Sequence, residues 1–538
     1  IRINSVSSVN NSNYVRSKTV FKGNQTNPQT EQLSNVQSDY AVQTPIKYTK
    51  TGEIDFPFNT KAHCYKLANG QRVVIVPQEG ETVLRTYVNT GSMNEPDNIR
   101  GISHYIEHNL FNGSEGIEDA DFFKQVDKMG ASTNASTGFG ETNYFISSNL
   151  LNENDLENKI RLHSSMLQKP YFAAEKLEKE KGIVNSEINM ITSNPQNIAI
   201  NKMLKNLYGI ETKSTDMIGG TTDNITNLTR EDVVNYYNNN YYPANMVTVI
   251  TGDINPDKTI SLISKYFNSN RQPAQHRHFE KFNPIQNSVR EDIISDKATA
   301  ATVVMGFNGP KSSNTKDRIH TIALMTLLSH MPSSRLENKL KPFNTIAEIA
   351  DEKISSNPDD NRALMIISEC TDENSEKVLK TIINEIGNIS NNPPTDVEIQ
   401  IIKKFLLKNF SKGFEDSFTT NNEIGTSILE NNQDYLNNFE EIVNKMTCED
   451  LINVAKKYFD VNKSSVALVH PSTATEASIN KNYKEISFTG NFKKEAINTD
   501  SVKEYNLSNN YRIITANSKT DNVEILYNVS TEKYMPSR

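Results

Sequence analysis

Two histidines four residues apart, with a glutamate beside the second, set the strongest constraint on this chain. They lie in Gly101-Ile102-Ser103-His104-Tyr105-Ile106-Glu107-His108-Asn109-Leu110-Phe111. If the segment is helical, His104 and His108 project from one face, one turn apart. Both imidazoles can then reach a single metal ion. Glu107 falls three residues after His104, on the same side, where a carboxylate can take a proton from a metal-activated water. The order is H-x-x-E-H, the inverse of the more familiar H-E-x-x-H.

Spacing alone does not make a site, because the chain of 538 residues holds nine histidines. His276 and His278 also fall close together, in the polar run from Gln272 to Arg277, and read as loop. The surroundings of His104 and His108 carry the argument further.

A chain this long exceeds the roughly 250–300 residues at which one core stops growing, so several domains are expected. The formal net charge of −8 comes with no clustered basic patch, which argues against a nucleic-acid partner. Cys64, Cys370 and Cys448 are odd in number and far apart, so no disulfide framework is expected. No apolar run approaches the 18 or so residues needed to span a bilayer. No signal peptide is visible, and the chain begins at Ile1 rather than Met. The compartment is left open.

Residues 1–56 are rich in Asn, Ser, Gln and Thr and read as a disordered polar tail, with a short extended piece near Ile46-Lys47-Tyr48 docking on the first domain. Strands are expected at 63–67 and 72–77 around an Asn69-Gly70 turn, and again at 83–88 and 142–146. Gly130 reads as the stop of a helix over 119–129. A long helical pattern over 174–192 places Glu180 and Glu187 seven apart, on one face, although helix carboxylates are ordinarily solvated. A strand at 245–253 and a helix at 257–267 close the first block, 57–270. A polar linker follows at 271–284. A second block, 285–475, repeats the cadence and carries no metal motif.

The final stretch contains an internal repeat. Residues from Tyr505 to Ile514 match those from Tyr65 to Val74 at a constant offset of 440, which continues to Tyr527 opposite Tyr87. Residues 476–538 therefore read as a linker and the truncated start of a third domain.

Taken together these residues resemble the M16 family of zinc peptidases, which includes insulinase, pitrilysin and mitochondrial processing peptidase. Gly91-Ser92-Met93-Asn94-Glu95-Pro96, followed by Gly101, His104, Glu107, His108 and Phe111, is similar to the family's active-site run. Asn134-Ala135 with Thr142 and Tyr144 resembles its substrate strand, and Tyr242-Pro243-Ala244-Asn245-Met246 with Gly252-Asp253 the end of its first domain. The resemblance covers about 57–475 and again from 485.

It implies an α+β fold of repeated M16-type (LuxS/MPP-like metallohydrolase) domains, each a β-sheet packed against helices. It implies one Zn2+ per chain on His104, His108 and Glu187, with Glu107 as the general base and Glu180 orienting a histidine. The activity implied is endopeptidase hydrolysis of peptides or unfolded polypeptides, which would add as a strand beside Asn134 and Ala135. Many members also carry an Arg/Tyr pair that holds the substrate carbonyl. The corresponding stretch here, Glu337-Asn338-Lys339-Leu340-Lys341-Pro342-Phe343-Asn344, lacks it. In four-domain members the pair lies in the fourth domain. The resemblance therefore implies an N-terminal half whose partner is the missing C-terminal half. The alternative is a non-catalytic structural or chaperone-like relative, which would typically have lost the H-x-x-E-H residues.

Overall fold

The expected Asn69-Gly70 turn opens the first sheet. Gly70 takes φ 92°, which favours a residue without a Cβ. The computed structural model describes residues 17–19, 44–56, 60–152, 154–208, 218–274, 282–355, 357, 359–430, 432–485, 493–499, 502–506, 512–516 and 525–527. His276 and His278 lie outside them.

The first sheet contains β1 (Ser17–Thr19), β2 (Tyr48–Phe56), β3 (Thr60–Leu67), β4 (Arg72–Pro77), β5 (Thr82–Val88), β6 (Ser132–Thr137), β7 (Thr142–Ser148) and β8 (Met246–Gly252). Their order is β1-β6-β7-β5-β8-β4-β3-β2. Between them run α1 (Ile102–Asn109), α2 (Asp119–Lys128), α3 (Asp155–Gln168), α4 (Ala174–Thr192), α5 (Pro195–Leu207), α6 (Thr222–Asn227) and α7 (Arg230–Asn240), and α8 (Pro256–Tyr266) follows β8. The period-2 alternation of a strand sorts the two faces. Val73 and Ile75 join the core beneath α1, α3 and α8. Val74 and Val76 point the other way, into a core shared with the second domain.

The second sheet contains β9 (Val289–Ser295), β10 (Ala301–Lys311), β11 (Glu348–Glu352), β12 (Asn361–Cys370), β13 (Ser465–Pro471) and β14 (Lys493–Thr499). Its order is β11-β12-β10-β13-β9-β14, and the first five of these repeat the β6-β7-β5-β8-β4 series of the first sheet strand for strand. The senses also agree: β13 runs parallel to β9 as β8 does to β4, and the other matched pairs are antiparallel. Its helices are α9 (Thr315–Leu328), α10 (Arg335–Leu340), α11 (Ser375–Gly387), α12 (Asp396–Lys412), α13 (Ser417–Leu429), α14 (Gln433–Lys445), α15 (Cys448–Tyr458) and α16 (Glu476–Glu485).

The two domains exchange covering helices. From the first domain, α5 packs on β10 and β13, while α13 of the second packs on β5 and β8. Asn421 on α13 donates to the carbonyls of Val83 (3.0 Å) and Val249 (3.1 Å). Close approach needs glycine on both sides: a Cβ at Gly425 would overlap the Tyr87 ring, and one at Gly306 the Met203 thioether.

The sequence expectation differs from the structure at two borders. Residues 48–56, placed in the polar tail, form β2. Only Ile54 and Phe56 of this edge strand are buried, so it carries no apolar alternation to announce it. Ile46 does dock, its N–H donating to the Ser264 carbonyl at 3.0 Å. Residues 476–485, assigned to a linker, are helical, and β14 extends the second sheet past position 475. Part of the 271–284 linker lies outside the described residues.

Near the end, β15 (Val502–Asn506), β16 (Arg512–Ala516) and β17 (Ile525–Tyr527) form a separate antiparallel sheet. Tyr505 pairs with Ile513 and Asn506 with Arg512. Tyr65 pairs with Val73 and Lys66 with Arg72, so the register repeats at the same offset of 440.

Candidate metal centre

A carboxylate outside the helix starts α1. Gly101, with φ 88°, is the residue before its first turn and has no side chain to cap with. Glu95 supplies the acceptors instead, taking hydrogen bonds from the Gly101 N–H (2.7 Å) and the Ser103 N–H (2.8 Å). These are among the amide groups a helix leaves unsatisfied at its start. Burial pushes the Glu95 carboxyl up to about 7 despite those bonds. All eight residues of α1 are buried, so the helix is held on every side and its two histidines have little freedom.

His104 and His108 present their Nε2 atoms to each other at 3.2 Å. Glu187 Oε2 lies 3.7 Å from His104 Nε2 and 3.3 Å from His108 Nε2. Glu187 comes from α4, whose buried face also carries Leu177, Glu180, Val184 and Ile188. One turn of α1 and a single position on α4 thus bring together three residues up to 83 positions apart, their donor atoms all within 4.8 Å of one another. Among the described residues no second group of three His, Cys, Asp or Glu side chains is so arranged.

Two imidazole nitrogens and one carboxylate oxygen are a donor set that fits a zinc ion with one position left open. An orphaned atom strengthens the fit: Glu107 Oε1 is buried and has no hydrogen-bond partner. Burial lifts the Glu107 carboxyl to about 8, partly opposed by His108 and by the Thr137 hydroxyl, which donates to Oε2 at 2.5 Å. Burial, and then the charge of His108, push His104 down to about 3. For His108 burial works in the same direction, but the bonds to Glu180 and Glu187 outweigh it and raise the ring to about 9.

Glu180, expected to orient a histidine, lies on His108: its Oε1 is 2.8 Å from Nδ1. Asn112 holds the other oxygen of Glu180 at 3.2 Å. Asn134 and Ala135 lie on β6, the second strand in the order of the first sheet, where Asn134 Oδ1 accepts the Ala135 N–H at 2.9 Å.

Three residues at this site were not singled out from the sequence: Thr137, Asn112 and Glu95 in its capping role. Thr137 sits two residues after the Ala135 that was noticed, so the spacing was in view. Its contact with Glu107 depends on how β6 crosses α1, which no local pattern records.

Two family models match the chain. Insulinase (Peptidase family M16) matches residues 75–221, and Peptidase M16 inactive domain matches 227–406. Together they cover more than half of the chain. Zinc protease PqqE of Helicobacter pylori is 25% identical over 413 residues, which is 75% of this chain and 92% of that protein. The uncharacterized zinc protease YmfH of Bacillus subtilis is 33% identical over 264 residues, which is 46% of this chain and 56% of that protein. Among solved structures, a protease from Helicobacter pylori superposes with a TM-score of 0.69 at 22% identity, covering 80% of this chain and all of that one. The periplasmic protease PqqL from Escherichia coli superposes with a TM-score of 0.64 at 18% identity, covering 90% of this chain and 57% of that one.

Proposed function

Because the chain belongs to peptidase family M16, we propose that it is a zinc-dependent endopeptidase acting on peptides or unfolded polypeptides. One zinc per chain would be held by His104, His108 and Glu187. The observation that carries this reading is the convergence of those three side chains beside the partnerless Glu107 Oε1. All of these residues lie in the stretch matched by the insulinase model, and none in the stretch matched by the inactive-domain model.

Bound zinc would supply Lewis acidity, polarising a peptide carbonyl and making a water acidic near neutral pH. The rest is the work of the chain. Glu107 takes a proton at Oε1 and returns it to the leaving amine. Its burial gives it a proton affinity close to neutrality, where a general base works best. Thr137 pins Oε2 and leaves Oε1 for the transfer. Glu180 accepts from His108 Nδ1, fixing the tautomer whose Nε2 carries the lone pair. Ligation requires His108 to give up its second proton, so metal uptake releases a proton. Substrate backbone would extend the sheet at β6. Asn134, whose Oδ1 is already engaged by Ala135, offers its Nδ2 as a donor.

The test pairs bound-zinc analysis with a quenched-peptide assay. Glu107→Gln is expected to keep its zinc and lose hydrolysis, and an unchanged rate would sink the mechanism. Glu187→Ala is expected to lose zinc, and full occupancy would remove Glu187 from the ligand set.

A further inference from the structure

The outer side of β6 is already taken. β1, from the N-terminal segment, pairs with it antiparallel: Ser17 opposite Thr137, Lys18 opposite Ser136 and Thr19 opposite Ala135. β1 is the outermost strand of the sheet, and at these three positions β6 is paired on both sides.

The register puts this segment at the chemistry. Thr137, opposite Ser17, is the residue whose hydroxyl holds Glu107. Ala135, opposite Thr19, is one of the two positions expected to meet substrate. The pairing covers residues 135–137 of β6, including the Thr137 that contacts Glu107 of α1. Any extended peptide reaching Glu107 along this edge needs the same backbone groups.

Geometry permits the connection. Twenty-four residues separate Thr19 from Thr44, where the described chain resumes before β2 at the opposite end of the sheet. Eight strands span about 34 Å at their usual spacing, while a chain of that length reaches roughly 80 Å fully extended. Tethering gives such a segment an effective concentration on the order of millimolar. The three paired residues, Ser17, Lys18 and Thr19, contribute no large apolar side chain to the contact. Pairing through the backbone favours occupancy that substrate can displace.

We propose that the N-terminal segment through Ser17–Thr19 is an intramolecular occupant of the substrate edge of β6, competing with polypeptide substrate for the same backbone hydrogen bonds. This rests on the reading of β6 as the substrate strand. An edge free in only about one molecule in ten weakens apparent substrate binding about tenfold.

The test is run on the full chain carrying Glu107→Gln, so that binding is read without turnover and separately from the hydrolysis assay. The probe is a labelled peptide of residues 12–24, followed by fluorescence anisotropy. Adding Ser17→Pro and Thr19→Pro removes two backbone donors from the segment. The peptide is expected to bind this variant about tenfold more tightly than the unsubstituted segment. Equal affinities, or no binding to either protein, would overturn the proposal. Geometry is checked independently with Lys18→Cys and Ser136→Cys under mild oxidation. A disulfide-linked peptide joining positions 18 and 136 is expected by mass spectrometry, and its absence also counts against the proposal.

Discussion

Glu180 Oε1 lies 2.8 Å from His108 Nδ1, on the side of the ring away from His104. A buried carboxylate thus sets which nitrogen of His108 carries the proton and holds the ring in plane. Replacing Glu180 with Ala is expected to weaken zinc binding about 10- to 100-fold. A competition titration against a chelator of known affinity measures this. Glu180→Gln, which keeps an acceptor oxygen but loses the charge, should fall between that variant and the parent. An unchanged zinc affinity in both would reduce the contact to packing.

Thr137 acts through Glu107. Its hydroxyl stabilises the charged carboxylate, so Thr137→Val should raise the proton affinity of Glu107 above the value of about 8 that burial already imposes. In the proposed mechanism Glu107 must be unprotonated to work. The acidic limb of the kcat/KM profile should therefore move to higher pH. On that limb a shift of one unit lowers kcat/KM about tenfold. Thr137→Ser, which keeps the donor, should restore the profile. A loss of rate with no movement of the acidic limb would contradict this role.

Glu430 links two buried guanidiniums, with Arg318 at 3.0 Å and Arg362 at 3.1 Å. Burial alone would raise its carboxyl, but Arg318, Arg362 and Lys353 outweigh it and hold the group at about 2. A carboxylate lowered in the folded state stabilises the fold above its unfolded value of about 4.3. That contribution fades as pH falls towards 2. Glu430→Gln leaves the buried cations under-compensated and is expected to cost about 3–5 kcal/mol at pH 7. Urea midpoints of variant and parent should therefore stay apart down to about pH 4 and converge as pH falls towards 2. A gap that stays constant would show that the charge of Glu430 is not what matters.

The sequence by itself went a long way where signals are local. The helix of α4 is bounded at 174 and 192 as the periodicity predicts, and the 65–73 hairpin pairs as its turn residues require. The H-x-x-E-H spacing fixed one face of α1, and the seven-residue step from Glu180 to Glu187 fixed one face of α4. Those intervals are set by 3.6 residues per turn, which holds wherever the helices come to lie. α13 was missed because Thr420, Asn421, Asn422 and Glu423 are buried on it beside Ile424, Ile428 and Leu429, which breaks the apolar period. Asn421 donates to the Val83 and Val249 carbonyls and Asn422 accepts from Arg85, all in the first domain's sheet. β2 and β1 escaped for a related reason, since an edge strand is held by its backbone and asks little of its side chains.

Tertiary structure alone decided that the two helix faces meet. It put Thr137 on Glu107 and Glu95 on the start of α1, and laid Ser17–Thr19 along β6. Each of these is a contact between elements whose separation and crossing angle depend on the packed core. One-dimensional periodicity specifies which way a side chain faces on its own element, and long-range packing determines what it faces.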